Sequence, residues 1–209
     1  KYKRMDYCDI MGRLLIFGDS IAWGSYDTKM GGWAARLRQH LDISDYETEL
    51  YNMSIGGDTT SDVLVRLDNE CRVRSPDRII FAIGINDSKY LKSKDNPRAN
   101  LGEFIDNITS LIVKARIYTK KIVFIGLTGV DESRTKPVEW NNDRYYDNDN
   151  IMRYDTAMQD VCRKKDVQYI RMHDLLDDGE LDDGVHPNSK GHEKMYGRIL
   201  GLLVKEGFI

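Results

Sequence analysis

Cysteine is scarce in this chain: Cys8, Cys71 and Cys162 are scattered and form no CxxC pair. That pattern argues against a disulfide framework or a zinc knuckle and points to a reducing compartment, with the cytoplasm as the expected location. Proline (4) and glycine (17) together make about a tenth of the 209 residues, far below collagen or low-complexity levels. Charge of one sign is lacking too, since 31 Lys and Arg face 34 Asp and Glu for a net charge of −3. Both signs are spread along the chain, so the clustered basic face that nucleic acid demands is missing. The densest basic stretch, Arg163-Lys164-Lys165, closes a predicted helix, where cations complement the helix dipole. No apolar run approaches the ~18 residues of a membrane span. The run nearest the N-terminus, Leu14-Leu15-Ile16-Phe17, is too short for the core of a signal peptide.

What is present is an ordinary globular balance, with 41% apolar residues. A chain of this length buries roughly 70% of its unfolded surface, enough for a core without staples. One domain is expected, over residues 11–209. The first ten residues, KYKRMDYCDI, read as an N-terminal extension, because Met11 sits where a start would suit the first strand.

Short apolar runs at Leu14–Phe17, Leu50–Met53, Ile79–Ile83, Ile122–Leu127 and Val167–Ile170 suit strands buried on both faces of a parallel sheet. Between them run helical stripes: Trp33, Leu37, Leu41; then Val63, Leu67, Cys71; then Leu101 through Ala115. Ile151, Tyr154, Met158 and Val161 form another, and Met195, Ile199, Leu202 and Leu203 the last. Five successive β–α units predict an α/β fold, a three-layer α/β/α sandwich. The expected sheet is open, parallel, five-stranded and flavodoxin-like, in the order 2-1-3-4-5. Residues 128–149 lack periodicity where such connections usually run ~2–6 residues. Trp140, Tyr145 and Tyr146 in that stretch suggest a packed cover over a functional site.

Chemistry gathers where the strands end. Gly18-Asp19-Ser20 follows the first strand, and the carboxyl ends of strands are where open α/β folds hold ligands. A serine hydroxyl needs a base, and histidine is the usual one near neutral pH. His40, His173 and His192 read as structural or solvated. His186 differs: it lies in Asp182-Asp183-Gly184-Val185-His186-Pro187, where Asp183 can fold back to hold its Nδ1 proton and leave Nε2 free. Asn52 to Thr60, with paired Gly56 and Gly57, follows the second strand. Gly84-Ile85-Asn86-Asp87 follows the third and offers a side-chain amide. Each alone is turn chemistry. In a 2-1-3 order, the three loops flank Ser20 from both sides.

These four blocks, in this order, resemble those of the SGNH hydrolases, the GDSL-like lipases and acylhydrolases, with isoleucine for leucine after Ser20. The resemblance runs from about Arg13 to Leu203. It implies a serine esterase with Ser20, His186 and Asp183 as nucleophile, base and acid. The Ser20 and Gly57 amides and the Asn86 side chain would be its oxyanion donors. It implies no metal or organic cofactor, and a small-molecule ester as the partner. Trp23, Tyr26, Trp140 and Tyr145 are the expected substrate-binding residues, and their bulk favours a short acyl chain, including O-acetyl on a carbohydrate. Longer acyl chains, as in lysophospholipids or thioesters, are the alternative.

Two other classes deserve weighing. The run from Asp174 to Asp183, with His173 and His186 at its ends, offers ligands for a metal-dependent phosphohydrolase, although it lacks regular spacing and suits a solvated acidic loop better. A non-catalytic glycan-binding module would use Trp23, Tyr26, Trp33, Trp140, Tyr145 and Tyr146 as stacking faces.

Overall fold

The structure, a computed structural model, describes residues 12–45, 47–93 and 96–209; the expected N-terminal extension lies outside them. In chain order the first half holds β1 (Gly12–Gly18), α1 (Ser20–Trp23), α2 (Trp33–Ser44), β2 (Thr48–Asn52) and α3 (Thr60–Arg74). There follow β3 (Arg78–Ala82), α4 (Ile85–Ser88), β4 (Tyr90–Leu91) and α5 (Leu101–Ala115). The rest comprises β5 (Lys121–Ile125), β6 (Arg144–Tyr145), α6 (Asn148–Lys164), β7 (Gln168–Ile170) and α7 (Ser189–Lys205).

The main sheet has five parallel strands in the order β2-β1-β3-β5-β7. This is the expected 2-1-3-4-5 arrangement once β4 and β6, which pair antiparallel with each other, are set aside. Leu14, Leu15, Ile16 and Phe17 are all fully buried, as are Ile79, Ile80 and Phe81. Consecutive burial means both faces of the sheet are covered, which is why these strands read as unbroken apolar runs. The helices present their apolar stripes inward: Trp33, Leu37 and Leu41 on α2, and Val63, Leu67 and Cys71 on α3, are buried. Side-chain caps start the longer helices. Thr59 and Asp62 form a reciprocal capping box before α3, and Asn100, Asp147 and Asn188 cap α5, α6 and α7. Helix α2 packs on α7, α3 on α5, and α5 on α6.

Strand register sets the rim. Gly18 pairs with Ala82, so β1 and β3 end side by side, and β2 ends beside them with Asn52 opposite Ile16. Beneath that rim, Phe17, Phe81 and Phe124 share one register across three strands. Their rings stack, with centroids 5.7 Å apart for Phe17 and Phe81 and 4.8 Å for Phe81 and Phe124. Phe81 is the middle member and fully buried. Phe81→Ala is expected to lower the unfolding free energy by about 3–5 kcal/mol in urea titration, with an unchanged denaturant slope. A loss below about 1 kcal/mol would show that the ladder can collapse around the gap.

Candidate active site

Ser20 opens α1 directly after β1. Asp19 caps that helix, its Oδ1 accepting the Ile21 N–H at 2.9 Å. The turn is tight: a Cβ on Gly18 would lie 2.5 Å from Ala22 Cβ and 2.7 Å from the Ala82 carbonyl oxygen, so only glycine fits. The Ser20 Oγ lies 2.8 Å from His186 Nε2, and His186 Nδ1 lies 2.7 Å from Asp183 Oδ2. The other Asp183 oxygen accepts the backbone N–H groups of Val185 (3.0 Å) and His186 (2.8 Å). Burial alone would raise the Asp183 carboxyl, but the His186 side chain and these amides outweigh it and hold the group below its ordinary range. Gly184 makes the reversal between acid and base at φ +88°, where a Cβ would also press on Arg134 Cβ at 2.9 Å.

The two neighbouring loops close on the first. Ile55 N–H donates to the Gly18 carbonyl (3.1 Å), and Asn52 Nδ2 donates to the Ala22 carbonyl (2.8 Å). A Cβ at Gly56 would sit 3.8 Å from Ser20 Cβ, which places the Gly56-Gly57 turn beside the serine. Asn86 lies in α4, where its Nδ2 donates to the Asp58 carbonyl at 3.1 Å and so ties the third loop to the second. Its Oδ1 accepts from Lys89 Nζ at 3.0 Å and from the Tyr146 hydroxyl at 3.2 Å. Asp87, fully buried, accepts the N–H of Thr60 (3.1 Å) and its hydroxyl (2.5 Å).

Burial dominates the electrostatics here. It pushes the Asp19 carboxyl up to about 7, against the Ile21 amide and the attraction of His186. It pushes Asp87 up to about 6 despite the Thr60 hydrogen bonds. Both carboxyls therefore titrate close to neutrality.

The contact between residues 20 and 186 is braced from behind. His192, fully buried in α7, accepts the Trp33 N–H at Nδ1 (3.3 Å), and its Nε2 donates to the Ser25 carbonyl (3.1 Å). Arg36 on α2 reaches the Ser189 carbonyl (3.1 Å) and pairs with buried Asp27. Asp27 in turn accepts the N–H groups of Lys29, Met30 and Gly32, which fixes the loop that carries Tyr26.

Of the four expected substrate-binding residues, two flank the imidazole. The Tyr26 ring lies 5.1 Å and the Trp140 ring 5.8 Å from that of His186, and both are about half exposed. Trp23 stands in solvent at the end of α1, and Tyr145 is half-buried in β6, paired with Tyr90; neither is brought against His186. Trp33 and Tyr146 are corrected as stacking faces. Trp33 is fully buried on the sheet side of α2, and Tyr146 is buried with its hydroxyl on Asn86. The 128–149 stretch does pack as a cover, with Val130, Val138 and Tyr146 buried. It is bonded to the His186 loop through Asp131 N–H to the Gly184 carbonyl (2.8 Å) and Arg134 to the Asp182 carbonyl (2.8 Å).

Three carboxylates of the acidic run before His186 are paired with Lys or Arg. Glu180 pairs with Lys190 and Lys194, Asp177 with Lys194, and Asp174 with Arg171 and Arg198. Among the described residues, no three His, Cys, Asp or Glu side chains converge as metal ligands. Sequence reasoning passed over Lys89, whose position three residues after Asn86 is the one available sign that the two meet on a helical turn.

Comparison with known proteins bears on the family and the fold. Residues 16–194 match the model of the GDSL-like lipase/acylhydrolase family. Over 115 residues the chain is 31% identical to esterase TesA of Pseudomonas aeruginosa, a match covering 54% of this chain and 53% of that protein. The chain thus spans about half the length of the curated relative it matches. Among solved structures, a lipase/acylhydrolase from Enterococcus faecalis superposes with a TM-score of 0.71 at 22% identity, over 92% of this chain and 95% of the other. The acetylxylan esterase Axe2 from Geobacillus stearothermophilus gives 0.71 at 20% identity, over 92% and 94%. At such identities the structures speak for the fold, while the family match covers most of the chain. The chain belongs to the GDSL-like lipase/acylhydrolase family.

Proposed function

We propose that Ser20, His186 and Asp183 act as a catalytic triad in an esterase that works through an acyl-enzyme. The observation that carries this reading is the unbroken relay from hydroxyl to imidazole to carboxylate, at 2.8 and 2.7 Å. With its proton on Nδ1 and held by Asp183, the imidazole accepts the Ser20 hydroxyl proton at Nε2 while Oγ attacks the ester carbonyl carbon. The resulting oxyanion is held by the Ser20 and Gly57 amides and by Asn86 Nδ2. The Ser20 amide opens a helix and so has no intrahelical acceptor. Asn86 has two amide N–H groups, of which one goes to Asp58 and the second serves the oxyanion. Collapse breaks the ester C–O bond, and the leaving alkoxide takes the proton from His186. Water then gives a proton to His186 and adds to the acyl-enzyme, which releases the acid and restores Ser20. Apart from the ester and water, every step uses groups of this chain.

The substrate proposed is a small ester with a short acyl group, such as an O-acetyl on a carbohydrate. Tyr26 and Trp140 support this, because their half-exposed rings crowd the imidazole and offer apolar faces to a sugar. The fold shared with an acetylxylan esterase is consistent with it. Free, buried Cys71 and Cys162 fit a reducing compartment. Among the described residues, no helix is long and apolar enough to cross a membrane. Residues 11–209 are proposed to be one domain.

Ser20→Ala should abolish labelling by a fluorophosphonate; persistent labelling of the variant would identify a different nucleophile. Asn86→Ala should lower kcat about 10²–10³-fold, the loss typical of one oxyanion donor, and an unchanged kcat would remove Asn86 from the site. Across nitrophenyl esters of two to sixteen carbons, kcat/KM should peak at the short end. A maximum above eight carbons would favour a lysophospholipase or thioesterase instead.

A further inference from the structure

Behind the proposed oxyanion donor lies a cation that no step above uses. Lys89 follows α4 directly and is only 1% exposed. Lysine is almost never buried this completely without a specific partner. Here the partner is an amide oxygen: Nζ donates to Asn86 Oδ1 at 3.0 Å, and the Tyr146 hydroxyl donates to the same atom at 3.2 Å. Both acceptor sites of Oδ1 are thereby filled. A flipped amide would set its NH2 group against an ammonium and a hydroxyl and would lose the Asp58 carbonyl at 3.1 Å. The amide thus has one allowed orientation, with its nitrogen turned away from Lys89.

We propose that Lys89 is a positioning residue for ester hydrolysis, its ammonium pinning and polarising the Asn86 amide so that Nδ2 donates more strongly to the developing oxyanion. This rests on the oxyanion role assigned to Asn86. A positive charge on the carbonyl end of an amide draws electron density from its nitrogen and makes the N–H groups better donors. Charge-assisted hydrogen bonds are roughly twice as strong as neutral ones, and the effect grows as charge develops on the substrate oxygen. The interaction is therefore worth most in the transition state, so its loss falls on kcat rather than KM.

The site also makes this charge sensitive to pH. Burial draws the Lys89 ammonium down to about 8; Arg98 and Arg144 repel it, while the carboxylates of Asp19 and Asp87 attract it. Tyr146, the other donor to Asn86, stays protonated because burial pushes its hydroxyl up. As pH rises through about 8, Lys89 loses its proton and Asn86 keeps only a neutral donor, so kcat should fall while KM stays nearly constant.

The test measures kcat and KM for nitrophenyl acetate from pH 6 to 9.5 in the wild type, Lys89→Met, Asn86→Ala and the double variant, with thermal unfolding of each. Methionine matches the length of the lysine stem without its charge, and such replacements of buried charge are often neutral or stabilising. Lys89→Met should lower kcat at pH 7 by about 10- to 100-fold, less than loss of the donor itself, with KM within about threefold. Its alkaline fall near pH 8 should disappear. In the Asn86→Ala background, Lys89→Met should have almost no further effect, because the cation acts through that amide. A Lys89→Met enzyme with kcat within twofold of wild type would overturn the proposal. So would an alkaline fall that persists in the variant, or an effect undiminished without Asn86. If Asn86→Ala itself leaves kcat unchanged, the oxyanion assignment fails; if that variant is impaired and Lys89→Met is not, only the role of Lys89 fails.

Discussion

Residues 20 and 186 are 166 positions apart, and the hydrogen bond between them depends on how α2 and α7 pack. One helix begins shortly after the serine and the other shortly after the histidine. Helix pairing therefore sets the distance between the loops that precede them. His192 fastens the start of α2 and the Ser25 carbonyl to α7, and Arg36 fastens α2 to the Ser189 carbonyl. His192 is thus a buried brace with both ring nitrogens engaged, and burial keeps it neutral by lowering its affinity for a proton. The site is assembled at the strand ends, but its dimensions are set by helix packing one layer away.

The site also concentrates charge where water is scarce. Asp19, Asp87, Lys89 and the Asp27–Arg36 pair are all buried. Each disfavours the folded state unless a partner answers it, and removing one member of a buried pair strands the other. Such strain is characteristic of functional sites held by a stable scaffold. Here the scaffold is the parallel sheet, whose central strands are buried and whose phenylalanine ladder lies beneath the same rim.

The fold was legible because its signals repeat. Strands buried on both faces announce themselves as unbroken apolar runs, and α2, α3, α5, α6 and α7 show stripes at helical spacing. Ser20, Asp183 and His186 stood out because each lies in a turn beside a strand end or helix start, in a block whose residue types suit one chemistry. The contact of Lys89 and Tyr146 with Asn86 was not legible, since a lysine in a connecting segment looks like solvated surface and an aromatic in a cover does not name its partner until the chain folds. The β4–β6 pair was invisible for a simpler reason: two-residue strands have no periodicity to read. Trp33 shows how one residue can fit two patterns. Its helical stripe pointed to burial, its aromatic ring suggested sugar stacking, and burial prevailed because the stripe faces the sheet.

The bonds between the 128–149 cover and the His186 loop have a consequence for how such an enzyme can change. Trp140 and the Asp131 and Arg134 contacts belong to one short segment, so the stretch whose indole lies against His186 also steadies the loop that carries this proposed base. A transplanted cover would bring new walls but lose the anchors of the imidazole loop. In the proposed esterase, selectivity and turnover are therefore mechanically linked: the cover can diversify at positions other than its anchors, and a grafted segment must keep those attachments to remain active.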